Sequence, residues 1–202
     1  LDKDPDNLRA MQELSHVYSQ LGYQEDSETE QQVYYQKAMD LADKSLNISN
    51  DYMSNFVKAV ALSRKMLNSA LTEKIKLSKE VKHYIDKSVL LNPEYAKSRF
   101  VLGVWYFELE NMGPLARAAA KKLMPEESSG DLKENSIEHL SKAVELNPNF
   151  IIYRYYLARA YLLNNQEDLA REHLKTVLLL PNIAPKDPQH KRECEELLND
   201  LN

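Results

Sequence analysis

Arg64, Lys97 and Arg159 are cations with apolar neighbours, Phe100, Phe107 and Tyr155 among them. A guanidinium can hold a carboxylate by two parallel hydrogen bonds, while adjacent rings supply apolar contact area. That is the chemistry of recognition, in which no bond is made or broken. Residues that could do reactive chemistry are scattered. His16, His83, His139, His173 and His190 form no HxxxH or HExxH pair, so they do not suggest a metal site. Cys194 sits among apolar residues at helical spacing, which fits a buried structural thiol. Glu126-Glu127 and Glu195-Glu196 are paired by sequence only, and solvated helix ends account for them. No glycine-rich phosphate loop and no GxSxG occurs. Asn47-Ile48-Ser49 matches a glycosylation triplet but falls at a helix turn. The expectation is a protein that is not an enzyme and takes no cofactor or metal.

The elements that position the cations are helices. Residues 5–22 carry Met11, Leu14, Val17, Tyr18 and Leu21 on one face, with Pro5 suited to the first turn and Gly22 to the stop. An acidic stretch, 23–31, reads as a loop or frayed start. Further helices are expected over about 32–46, 52–71, 73–91 and 95–110, the last apolar nearly all round and therefore central. Asn111-Met112-Gly113-Pro114 breaks the chain before a short basic helix over 115–123 and a loop over 125–130. From 136 to 182, two amphipathic helices flank Asn147-Pro148, and a third follows Asn164-Asn165. Pro181 to Pro188 is a turn, and a closing helix runs over 189–201 with Cys194, Leu197, Leu198 and Leu201 on one face.

The proline turns measure a period. Pro148 to Asn182 is 34 residues; Pro93 to Pro148 is 55, one period with 21 extra after Glu110; Asn50 to Pro93 is 43, one period with 9 extra. A 34-residue helix-turn-helix unit is the tetratricopeptide repeat. In this register Leu14-Ser15, Leu102-Gly103 and Leu157-Ala158 form the large-small pair of the first helix, with Tyr18, Tyr106 and Tyr161 four after each Leu. Ala38, Val81, Ser136 and Ala170 start the second helices, and Ser45, Ser88, Ala143 and Val177 follow by seven. The fold expected is all-α: a tetratricopeptide-repeat superhelix in one domain. Its four helix pairs fall at about 8–52, 53–95, 96–150 and 151–184, with insertions and a capping helix over 187–202. Trp105, on the most apolar helix, is expected in the core.

The run LGVWYFELENMGPLARAAAKKL, a short polar loop, and then EHLSKAVELNPNFIIYRYYLARAYL resembles the regulator-of-microtubule-dynamics tetratricopeptide proteins and their bacterial relatives. The resemblance covers about 50–200 and is closest from Leu102 to Leu162. It implies a scaffold without catalysis.

First helices line the inner surface of a repeat stack. That places Arg9, Gln12, His16, Lys58, Arg64, Lys97, Phe100, Phe107, Tyr155 and Arg159 as candidate partner-binding residues, for a protein or peptide held in a concave groove. Against this, the apolar part of the stripe (Phe100, Val104, Phe107, Ile152) would be an aggregation hazard if bare, so the chain itself is expected to cover it. Two other functions stay open: a structural or self-associating module, and capture of a small apolar ligand for a transport system. A net charge of -5 argues against nucleic acid. No run spans a bilayer, and the molecule is expected to be soluble, as a monomer or weak homodimer. The start at Leu1 rather than Met fits a removed signal peptide or tether, or a trimmed chain. One cysteine excludes an internal disulfide, so a secreted or periplasmic place and a cytoplasmic one are both open.

Overall fold

A computed structural model describes Asp4 and residues 6–201. Among these residues there are ten helices: α1 (Leu8–Gln24), α2 (Glu28–Ile48), α3 (Tyr52–Met66), α4 (Leu71–Leu91), α5 (Ala96–Glu110), α6 (Pro114–Leu123), α7 (Leu132–Leu146), α8 (Ile151–Leu163), α9 (Glu167–Leu179) and α10 (Asp187–Asp200). α1/α2, α3/α4, α5/α7 and α8/α9 are the four pairs, α6 is the inserted helix and α10 closes the chain. This is the tetratricopeptide-repeat fold. Helices group into two compact units. Unit 1 holds α1–α4 with residues 118–127; unit 2 holds residues 94–117 and everything described from Ser128 on.

Several helix ends depart from expectation, each for a local reason. α2 begins at Glu28, not near Gln32, because Ser27 caps it, accepting from the Glu30 amide at 3.5 Å. Glu28 and Glu30 then sit favourably in the positive first turn. α7 likewise begins at Leu132, where Asp131 accepts from the Glu134 amide at 3.0 Å. Ala38, Val81, Ser136 and Ala170 are therefore interior positions of the second helices, not their starts. α3 stops at Met66 rather than 71, with Arg64 and Lys65 in its last turn beside the negative end of the dipole. Pro188 is in the first turn of α10 instead of closing the turn before it. Pro5, expected in the first turn of α1, lies outside the described residues.

Gly22 does not end α1. A Cβ there would stand 2.6 Å from Tyr35 Cε1, so the glycine lets α2 approach closely. Gly103 does the same for α7, where a Cβ would lie 2.6 Å from Leu140 Cγ. The left-handed backbone that turns α8 into α9 falls on Asn165 (φ 58°), a residue type that tolerates it.

The repeat register holds in the packing. Ala38, Val81, Ser136 and Ala170 are buried, as are Ser45, Ser88, Ala143 and Val177. Ser15 Oγ donates to the Ala38 carbonyl at 2.7 Å, and Ser136 Oγ to the Gly103 carbonyl at 3.0 Å. In α1/α2 and α5/α7, then, a small residue of the first helix faces a small residue of the second, and a hydroxyl fills the contact. Trp105 is buried at 6% exposure, edge-on to Tyr106 with ring centroids 5.3 Å apart.

Candidate functional site

The candidate residues divide between the units. In unit 1 most have taken partners within the chain. Gln12 is buried, and its Nε2 donates to Asp51 Oδ1 and Oδ2 at 3.0 and 3.1 Å and to Ser54 Oγ at 2.9 Å. Asp51 is also the N-cap of α3, so this bond ties the first repeat to the second. Lys58, expected in a groove, is 9% exposed; its ammonium donates to Asp43 and lies 3.1 Å from Met39 Sδ. Arg9 is exposed and paired with Glu13 at 2.8 Å. The His16 ring packs on Phe56, centroids 5.4 Å apart. The Arg64 guanidinium lies 4.0 Å above the Tyr23 ring. Burial of Gln12 and Lys58 removes them from any partner-facing surface: α3 sits beside α2, and Asp43 supplied a counter-charge.

Unit 2 is arranged differently. Phe100 stacks on Tyr153 (4.7 Å), which stacks on Phe150 (5.1 Å). Tyr156 meets Phe100 and Phe107 edge-on at 5.6 and 5.8 Å. Arg159 stands over this aromatic floor, its Cζ 4.7 Å from the Phe107 centroid and 5.3 Å from those of Tyr155 and Tyr156. The guanidinium is half-buried and forms no hydrogen bond or ion pair with any described residue. Cation–π contact thus fixes its position and leaves its N–H donors unused.

Two candidate residues here play a different part from the one expected. Phe107 is 3% exposed and Tyr155 8%, so they are the floor under Arg159 and not surface groups. Tyr156, not among the residues expected from sequence, also belongs to this aromatic group. It lies four after Ile152 and three before Arg159, and all three are half-buried. The register chosen from sequence placed Tyr155 on that stripe, one residue out. Tyr155 instead turns towards α10, where its hydroxyl bonds Glu193 and its ring meets His190 at 5.0 Å. Val104, Ile152 and Phe100 pack half-buried against the cluster formed by α5, α7 and α8, so the chain covers much of the apolar stripe.

Charged groups of both signs surround this face. Lys97, on α5, has its pKa pushed down by burial. Glu108 is exposed by area, yet protein atoms crowd its carboxyl. Desolvation pushes its pKa up, and Arg159 partly offsets this. Glu193 is held low: burial opposes its charge, but bonds from Tyr155 and Gln189, then the fields of His190 and Arg159, outweigh that. Among the described residues no group of three His, Cys, Asp or Glu is placed to hold a metal ion, and no helix is long and apolar enough to cross a membrane. Cys194 is buried, and its thiol is pushed up to about 12 by burial, then by Glu193 and Glu195.

The model of the family described as regulator of microtubule dynamics protein 1-3 matches residues 1–202. This chain belongs to that family. It is 24% identical over 186 residues to regulator of microtubule dynamics protein 3 of Rattus norvegicus, covering 91% of this chain and 39% of that protein. With protein 1 of Mus musculus the identity is 27% over 177 residues, 87% of this chain and 58% of the relative. The chain therefore spans less than two thirds of the length of these relatives. Among solved structures it is similar to a thermophilic TPR protein of Thermus thermophilus, with a TM-score of 0.60 and 19% identity, covering 93% of this chain and 84% of that one. It is also similar to MamA, with a TM-score of 0.53 and 16% identity over 99% and 85%. The relatives are named as regulators, and the structural likeness is one of fold.

Proposed function

We propose that this member of the family is a non-catalytic scaffold, and that the face formed by α5 and α8 in unit 2 docks an extended segment of a partner protein. Arg159 takes a carboxylate of the segment, Lys97 adds positive charge, and Phe100 and Tyr156 receive an apolar side chain. The observation that carries this reading is a half-buried guanidinium seated on three rings with no acceptor of its own. The net charge of -5 speaks for protein rather than nucleic acid.

The relatives' name points to microtubules, so co-sedimentation with stabilised microtubules is the first partner assay, followed by titration of wild type and Arg159→Glu. Affinity should fall about tenfold or more, the loss of one charge-assisted contact worth about 1.5–3 kcal/mol. Far-UV circular dichroism should be unchanged. A partner bound equally well by wild type, Arg159→Glu and Lys97→Glu would place the interaction on another face.

A further inference from the structure

The inserted helix builds a second concavity, within unit 1 and outside the repeat register. Two adjacent rows of α4, Lys76-Glu80-Tyr84 and Ile75-Lys79-His83, line one side, and Leu123 at the end of α6 forms the other. The cleft is half-open and encloses about 630 Å³, within the size range of small-molecule sites. Its α6 wall is anchored: Ala120 and Met124 are fully buried, and Glu127 pairs with Lys79 at 3.2 Å. Leu123 stays 43% exposed at the mouth.

The charges in the cleft are unequal. Lys79 is taken by Glu127. Lys76 and Glu80 stand one turn apart, yet form no hydrogen bond or ion pair with each other or with any described residue. Lys82 and Asp86, in the same order further along α4, do close on each other, whereas Lys76 and Glu80 are left apart. A simple anion would meet Glu80, and a simple cation would meet Lys76. A ligand carrying both charges satisfies both. Residues four apart on a helix have Cβ atoms about 5–6 Å apart, a gap the two ends of an amino acid or short peptide can bridge.

We propose that the α4–α6 cleft binds a zwitterion with an apolar body, a free amino acid or short peptide with both ends unblocked. Its carboxylate rests on Lys76, its ammonium on Glu80, and its side chain on Tyr84 and Leu123, above the buried Ile75. The probe is the Leu-Leu dipeptide in calorimetric titration, compared with its N-acetyl and C-amide forms. Saturable binding to wild type is expected, weakened at least about tenfold by blocking either end and by Lys76→Glu or Glu80→Lys. Arg159→Glu should leave it unchanged, which separates this site from the α5/α8 face. Both charged residues are exposed, so folding should survive; if a variant fails to fold, the blocked peptides on wild type decide the matter alone. No saturable binding, or equal binding of free and blocked peptides, overturns the proposal.

Discussion

Lys58 and Arg159 both lie on first helices, and both were expected to face a partner. Lys58 in α3 is buried, because Asp43 of the neighbouring α2 reaches its ammonium. A buried cation needs such a partner, and once paired it serves the fold. Arg159 in α8 has Glu108 and Glu193 in its field, but neither bonds it; rings hold it instead. Rings fix a guanidinium without using its N–H groups, so a second, external acceptor can still be taken. The difference between a structural cation and a receptive one is thus whether the adjacent helix offers a carboxylate or an aromatic face.

The aromatic floor rests on the α5 core, and the most severe way to break the contrast is to remove that support. Trp105→Ala should cost about 3–5 kcal/mol, the usual loss for a large buried aromatic. Partner binding through Arg159 should fall with it. A shift of only a degree or two in the melting curve would mean that Trp105 does not hold α5 in place.

A smaller effect separates committed from exposed polar groups in unit 1. Gln12→Ala removes the two N–H donors of a buried amide, one shared by both Asp51 oxygens and one on Ser54, and should cost about 1–2 kcal/mol. Arg9→Ala, on the same helix, breaks only an exposed pair and should cost under about 0.5 kcal/mol. Chemical denaturation of the two variants measures the gap. Equal losses would show that the Gln12 network contributes no more than a surface pair.

How far the sequence was legible follows from the same packing. The 34-residue period located the buried small positions correctly, because Ser15, Gly103 and Ala158 must each accept a second helix at close range. Helix starts were misplaced because Ser27 and Asp131 lie in polar stretches that look like loops; only their spacing to Glu30 and Glu134 marks them as caps. Gly22 looked like a stop because a glycine near a helix end usually is one, and only the approach of Tyr35 shows otherwise. Tyr155 and Tyr156 are adjacent and identical, so periodicity alone could not decide which faces α10. Asp43 and Lys58 come together through tertiary packing between α2 and α3, which no local pattern encodes.

The smallest expected effect is a pH dependence confined to unit 2. His173 in α9 receives a hydrogen bond on Nδ1 from Arg154 Nη1 at 3.2 Å and stacks on Tyr161. Accepting at Nδ1 requires the neutral ring. Burial first, and the Arg154 charge second, push its pKa below 6.5, with Glu172 opposing. His190 in α10 is likewise lowered, chiefly by burial and also by Lys186, against Glu193 and Asp187. Both folded rings therefore resist protonation that the unfolded chain accepts near 6.5. Their contribution to stability is present above that value, is lost as pH falls through it, and levels off below the folded values. These two rings should thus lower the melting temperature of wild type between about pH 7.5 and pH 5.5, against the opposite contribution of Glu108, whose raised pKa favours the folded state as pH falls. In a His173→Gln, His190→Gln double variant the glutamine oxygen can still accept from Arg154 but cannot be protonated, so the drop should shrink. If the double variant keeps the full wild-type slope, the pH response arises elsewhere, and the neutral rings of α9 and α10 do not distinguish unit 2 from unit 1.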